Sequence, residues 1–318
     1  IVGFSCAANN AAKYLYDDKP MKVENINPYL VDGPNVFIES RKKSISNIPE
    51  MVKGSSPVDG GNLLISDESY FEFQQKEPDA LRFIRPFLGA REYIHNIKRW
   101  CLWLDGESPA LFRNLPMVKL RIEATRNFRL DSTKEATRKY ADYPFRFMEM
   151  RQPETDYILI PRHSSENRKY IPFGFMKPEM ICGDANSMIP NANLYHFGVL
   201  ISNVHMAWMR AVCGRIKSDY RYSNDIVYNN FPWPTPTAAQ REKIERTAQG
   251  ILDARALYPD SSLADLYDEL TMPKELRDAH RANDRAVMEA YGFWGKLNSE
   301  AACVAELMKM YRTLAGES

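Results

Sequence analysis

Phe231-Pro232-Trp233-Pro234-Thr235-Pro236-Thr237-Ala238-Ala239-Gln240 divides the chain. Its prolines remove three amide donors in close succession, so the first half cannot lie inside a helix or a central strand. Thr237 to Gln240 has the spacing of a capping box, in which the threonine and glutamine side chains each satisfy a backbone amide at a helix start. Downstream, Ile244, Ala248, Ile251, Leu252 and Arg255 recur at helix spacing. Pro259 closes that helix, Ser262 to Asp265 can cap a short second one, Pro273 suits the first turn of a third running to Gly292, and Ser299 opens a fourth ending near Gly316. Residues 237–318 therefore read as an all-helical domain. Upstream, from about 46 to 236, apolar alternating runs such as Tyr157 to Ile160 lie between proline-bearing loops, and helix-period stretches fall around 78–98 and 194–213. That pattern predicts one mixed α/β domain. Residues 1–45 hold a short apolar strand (Ile1 to Phe4), a connector with Pro20 and a candidate strand at Asn35 to Glu39, and read as the trailing edge of a preceding domain with its connector. The predicted fold class is α+β, a mixed α/β domain followed by a small helical one.

With 318 residues, 44% of them hydrophobic, the chain supports a large core without staples, and wholesale disorder is excluded. A net charge of +1 leaves no global field to pull it onto nucleic acid or membrane, so any polyanion site must be a local patch. The helical tail carries 11 basic and 14 acidic side chains, leaving 31 and 27 upstream, so a DNA-facing surface is expected before the prolines. Five scattered cysteines, none in a C-x-x-C pair, speak against zinc clips or a disulfide framework and fit a reducing cytoplasm. No apolar run approaches the ~20 residues that a bilayer helix requires, and there is no signal peptide pattern, so no membrane partner is expected. The chain opens Ile-Val-Gly-Phe-Ser and reads as a fragment entered from upstream sequence.

Several chemistries lack their residues. No G-x-G exists to bring backbone amides onto a nucleotide or S-adenosylmethionine, so no cofactor-binding residue is assigned. Asn27-Pro28-Tyr29 superficially resembles the N-P-P-Y/F turn that holds a flipped base, but it lacks the second proline and reads as an ordinary turn. Asp17-Asp18-Lys19 is the one match to a nuclease-type acidic-x-Lys tripeptide, too weak to carry a site. The five histidines show no metal-ligand spacing, and Ser164-Ser165-Glu166 is a polar loop rather than a nucleophile elbow. Neither a catalytic residue nor a metal ligand is assigned.

Two constellations remain. Residues 113–139 hold eight basic side chains against three acidic ones, a strip that could neutralise phosphates through Lys119, Arg121, Arg126 and Arg129. A merely solvated basic face is the competing account. The second is Gly214-Arg215-Ile216-Lys217-Ser218-Asp219-Tyr220-Arg221-Tyr222-Ser223. In an extended segment Lys217, Asp219 and Arg221 would share one face. Lys217 could then donate to guanine O6 and N7 while Asp219 accepts from cytosine N4, and reversed charges would select C·G. A local ladder of ion pairs is the alternative. Arg215 is assigned to phosphate.

The run from Cys213 through Ser223 to Tyr228-Asn229-Asn230-Phe231-Pro232-Trp233-Pro234 resembles the MmeI-like family of adenine-specific DNA methyltransferases, often fused restriction-modification enzymes. Matching blocks are Asp59-Gly60-Gly61-Asn62-Leu63, Ile84 to Gly89, Arg99 to Leu104, Tyr170-Ile171-Pro172 and Ser262 to Tyr267, so the resemblance spans nearly the whole chain. It implies a DNA target-recognition domain over about 46–236 and a helical C-terminal domain over 237–318. Family members place a nuclease segment, a helical spacer and an S-adenosylmethionine-dependent methyltransferase domain upstream, so the implied partners are double-stranded DNA and those upstream domains. The fragment alone is expected not to methylate. The resemblance also implies that Lys217 and Asp219 read guanine just 3′ of the modified adenine, and that Arg221 helps read a neighbouring base. A scaffold or protein-interaction module is the alternative function, and a self-contained hydrolase a more distant one.

Overall fold

The computed structural model of the chain describes residues 11–16 and 19–316; the run Ile1 to Phe4, Cys6 and the Asp17-Asp18 pair lie outside the described residues. The fold is α+β. One four-stranded sheet is antiparallel throughout, in the order Val52–Lys53, Asn186–Pro190, Tyr157–Pro161, Gly174–Met176. A second orders Ile181–Cys182, Ile84–Leu88, Trp100–Leu102, Leu64–Ile65, its first pair parallel. Tyr157–Pro161 shows what alternation achieves when both faces are covered: Ile158 and Ile160 enter the main core, while Tyr157 and Leu159 face a smaller cluster. The sheets are stitched where Ser55 bridges Gly183 and the Gly183 amide donates to the Leu88 carbonyl at 2.9 Å. A Cβ on Gly54 would collide with the Gly183 carbonyl, so this approach requires glycine.

Three predicted elements differ. Residues 78–98 are not one helix: Pro78 opens a 3-10 turn (Pro78–Phe83), Ile84–Leu88 is a strand, and only Ala90–His95 is helical. Pro86 has no amide to donate within a helix, and Ile84 and Phe87 are buried in the second core instead. The 194–213 stretch is two helices, Leu194–Leu200 and Asn203–Val212, because the Ser202 hydroxyl caps a new start by accepting from the His205 amide. Asn35 to Glu39 forms no strand. Side chains take the place of a neighbouring strand there: Ile38 N donates to the Tyr29 hydroxyl and Asn230 Nδ2 donates to the Glu39 carbonyl, both at 2.9 Å.

The tail follows its local signals closely. Thr237 and Gln240 form the capping box of Ala238–Ala256, Ser262 and Asp265 that of Leu263–Leu266, and Gly292 and Gly316 end Lys274–Tyr291 and Glu300–Ala315 in the left-handed conformation. One apolar core runs from Val31 through Trp208, Phe231 and Trp233 to Leu307 and Tyr311, so the proline run is packed inside it rather than strung between separate bodies. No helix among the described residues is long and apolar enough to cross a membrane.

Buried histidines make this core acid-sensitive. Burial lowers His205 to about 3 and puts His280 well below its ordinary value, so both stay neutral when folded. Below about pH 6.5 the unfolded chain takes up protons that the folded chain refuses, so stability falls with pH, by roughly 1.4 kcal/mol per unit for each histidine. Asp284, raised to about 6 by burial, works in the opposite direction between about pH 4 and 6. His196, which burial and Arg241 lower to about 4, acts with the two buried histidines, so three groups oppose one and the melting temperature is expected to fall steadily from pH 7 to 4.5 in a thermal melt series. A flat or rising profile would contradict it.

Candidate nucleic-acid interface

Helix Asn203–Val212 ends at Cys213, and the chain passes at once into a hairpin. Gly214–Ile216 pairs with Asp219–Arg221 in the register Gly214↔Arg221, Arg215↔Tyr220, Ile216↔Asp219. Lys217 and Ser218 are therefore a two-residue turn, with Lys217 at φ 56°. This corrects the expected extended run. The backbone reverses at Lys217, so Lys217 stands at the tip and only Asp219 and Arg221 share a strand face. The left-handed conformation of Lys217 costs roughly 1 kcal/mol, offset by the ladder that closes the turn.

Register assigns the other side chains. Ile216, 49% exposed, lies on the face of Asp219 and Arg221. So does His163, the cross-strand partner of Arg221 where Asp219–Arg221 also pairs with His163–Ser164. Neither residue stands out in the sequence, since only the register, not the spacing, puts them there. Arg215 falls on the opposite face. Its guanidinium lies 4.5 Å from the Tyr220 ring centroid and donates to the Ser218 carbonyl at 2.8 Å, closing the turn. It remains exposed, but on the far side from the charged pair.

Asp219 is held from outside its own strand: Oδ1 accepts from the Glu166 amide at 3.3 Å, giving the Ser164-Ser165-Glu166 loop a structural purpose. Burial, with Arg162 and Arg221 nearby, lowers the His163 pKa, so at neutral pH its ring offers one donor and one acceptor. No ion pair joins Lys217, Asp219 or Arg221 to another side chain among the described residues, unlike the ladder alternative. All three are exposed, while Tyr220 and Tyr222 between and beyond them are buried. Tyr222 anchors the hairpin: its amide donates to the Arg162 carbonyl at 2.8 Å and its hydroxyl meets His205 Nε2 at 2.9 Å.

The basic strip divides. Helix Pro116–Leu130 carries Lys119 and Arg126 on its exposed side, Lys119 3.8 Å from Glu123 and Arg126 unpaired among the described residues. Arg129 is fully buried, and its guanidinium donates to the carbonyls of Pro57, Val58, Tyr140, Tyr143 and Arg146 at 2.7–3.3 Å. All five of its donors are directed into the protein, which corrects its assignment to phosphate. Arg121 is only half-buried: it donates through Nη1 to the Asn62 and Leu64 carbonyls at 2.9 and 3.1 Å, which ties one arm of its guanidinium to the protein. Asn27 is occupied too. Its Oδ1 accepts from the Tyr29 and Val31 amides, its Nδ2 donates to Met308 Sδ, and the side chain is buried, so Asn27 serves the turn and is not presented to a base.

Fold and site together define a mixed α/β unit that displays a charged hairpin and is closed by a helical domain. Residues 32–235 match the family model "MmeI, target recognition domain" and residues 236–317 match "MmeI, C-terminal domain". The chain belongs to the MmeI family. It is 37% identical over 315 residues to DNA methyltransferase A of Bacillus subtilis (strain 168), covering 99% of this chain and 36% of that protein. Among solved structures it resembles the type IIL restriction-modification enzyme MmeI in complex with DNA, with a TM-score of 0.90 and 45% identity over 95% of this chain and 41% of that one. The chain thus spans well under half the length of either relative.

Proposed function

We propose that this chain is the DNA target-recognition module of an adenine-N6 DNA methyltransferase of the restriction-modification type, and that the hairpin enters the major groove. The observation that carries the reading is an exposed, ion-pair-free Lys217 at a hairpin tip beside a fixed Asp219, in a chain 45% identical to a protein solved on DNA. Beyond the third strand His163–Ser164, which pairs only with Tyr220 and Arg221, the hairpin tip is two strands wide and fits the major groove, where lysine donates to guanine and aspartate accepts from cytosine N4. Arg221 reads a neighbouring pair, while Lys119, Arg126 and Arg215 contact phosphate and carry no sequence information. Methyl transfer and S-adenosylmethionine are assigned to residues outside this chain, since neither a G-x-G loop nor an N-P-P-Y/F motif lies within it. An upstream methyltransferase domain, and in some arrangements a nuclease, is the implied neighbour.

Selection from a duplex library randomised over about ten base pairs tests the reading, because every candidate site competes on equal terms. Enrichment of a defined sequence containing a G·C pair is expected; no enrichment would favour a scaffold. Arg126→Ala is expected to weaken binding equally across sequences and to reduce the slope of log affinity against log salt by about 1, as loss of one phosphate contact requires. An unchanged slope would remove Arg126 from the interface.

A further inference from the structure

We infer that the helical C-terminal domain is a positioning clamp for base reading, acting through helix Asn203–Val212, on whose end the hairpin is mounted. The inference rests on the hairpin reading above and adds a role for a domain that itself carries no reading residue. Two carboxylates of the tail hold the two ends of this helix. At its start, the Asn203 amide, one of the donors that a helix leaves unsatisfied, donates to Asp284 Oδ1 at 2.8 Å. Near its end, Arg210 donates Nε to Glu300 Oε1 and Nη2 to Glu300 Oε2, both at 2.7 Å, in a bidentate pair. Between them Trp208 packs against Tyr311, ring centroids 6.1 Å apart.

The same two carboxylates also fix the segment that holds Asp219. Asp284 Oδ2 accepts from the Tyr170 hydroxyl at 2.6 Å, and Arg210, locked by Glu300, donates through Nη1 to the Lys169 carbonyl at 3.0 Å. Lys169 and Tyr170 follow directly on the loop whose Glu166 amide holds the Asp219 carboxylate. The mount of the hairpin and the support of its aspartate are thus tied to the tail at shared points. Hydrogen bonding to a base edge tolerates errors of only about 0.5 Å, so loosening either tie degrades discrimination before it degrades general attraction to the duplex.

The test uses the 318-residue chain and two duplexes differing only at the pair that the hairpin reads. The readouts are the ratio of their Kd values, the Kd for unrelated duplex, and Tm. Glu300→Gln removes the charge from a half-exposed carboxylate and is expected to leave folding intact even where Asp284→Asn, at a buried carboxylate, does not. The expected result is a fall in the ratio on the order of three- to tenfold, with unrelated-duplex affinity unchanged. A lowered Tm with an unchanged ratio makes the contact structural only and overturns the clamp. Lys217→Glu with Asp219→Arg is the control: loss of the ratio there but not in Glu300→Gln overturns the clamp alone. An unchanged ratio in both overturns the hairpin reading and the clamp with it.

Discussion

Exchanging the pair, Lys217→Glu together with Asp219→Arg, is expected to convert the preferred base pair from G·C to C·G. The lysine ammonium offers only donors and the aspartate carboxylate only acceptors, so each is matched to one base edge and mismatched to its complement. Each such contact discriminates by about 1–3 kcal/mol, so the preference should reverse by on the order of 10- to 100-fold. The reversal carries a modest loss of overall affinity. An arginine at position 219 cannot accept from the Glu166 amide, and that hydrogen bond contributes about 1 kcal/mol. Either single exchange leaves two like charges at the tip and should weaken specific binding without creating a new preference. Library selection, or mapping of methylated adenines when the exchange is made in the full-length methyltransferase, reads the outcome. A G·C preference that survives the double exchange would end the assignment.

Arg129→Ala is expected to produce the largest loss of stability of any substitution in the basic strip, about 3–5 kcal/mol. The guanidinium is a strut joining helix Pro116–Leu130 to the Pro57-Val58 turn and to residues 140–146, and its removal takes a donor from five carbonyls, leaving those of Val58 and Arg146 with none. Against a total folding stability of about 5–15 kcal/mol, this should lower Tm on the order of 10 °C. Arg129→Lys should recover little, because one ammonium cannot span donors arranged as a planar fork. The same variants, assayed below their melting temperature, should keep the wild-type salt slope for DNA. A normal Tm with a reduced slope would return Arg129 to the phosphate surface and refute the strut.

The contrast between Arg126 and Arg129 marks the limit of reading charge along a chain. Three residues apart on one helix, they are indistinguishable in the sequence, yet Arg126 is exposed and Arg129 fully buried. Carbonyls more than seventy residues upstream make the difference, and nothing in the spacing announces them. The hairpin shows the same division. Its charged and aromatic content was legible, but its turn was not, because no glycine or asparagine marks position 217 as left-handed. Ile216 and His163 join the reading face only through strand register. Around residue 86, helical periodicity misled because two faces of a short buried strand can imitate it.

What the residues determined unaided was the helical tail and the family, since capping boxes and terminal glycines act within a turn of where they stand. Which cations are free to meet a polyanion, which side chains stand beside Asp219, and how the tail grips the helix behind the hairpin were decided only in three dimensions. Each of those depends on partners brought from dozens of residues away, and a donor's availability is set by the acceptors that folding places around it.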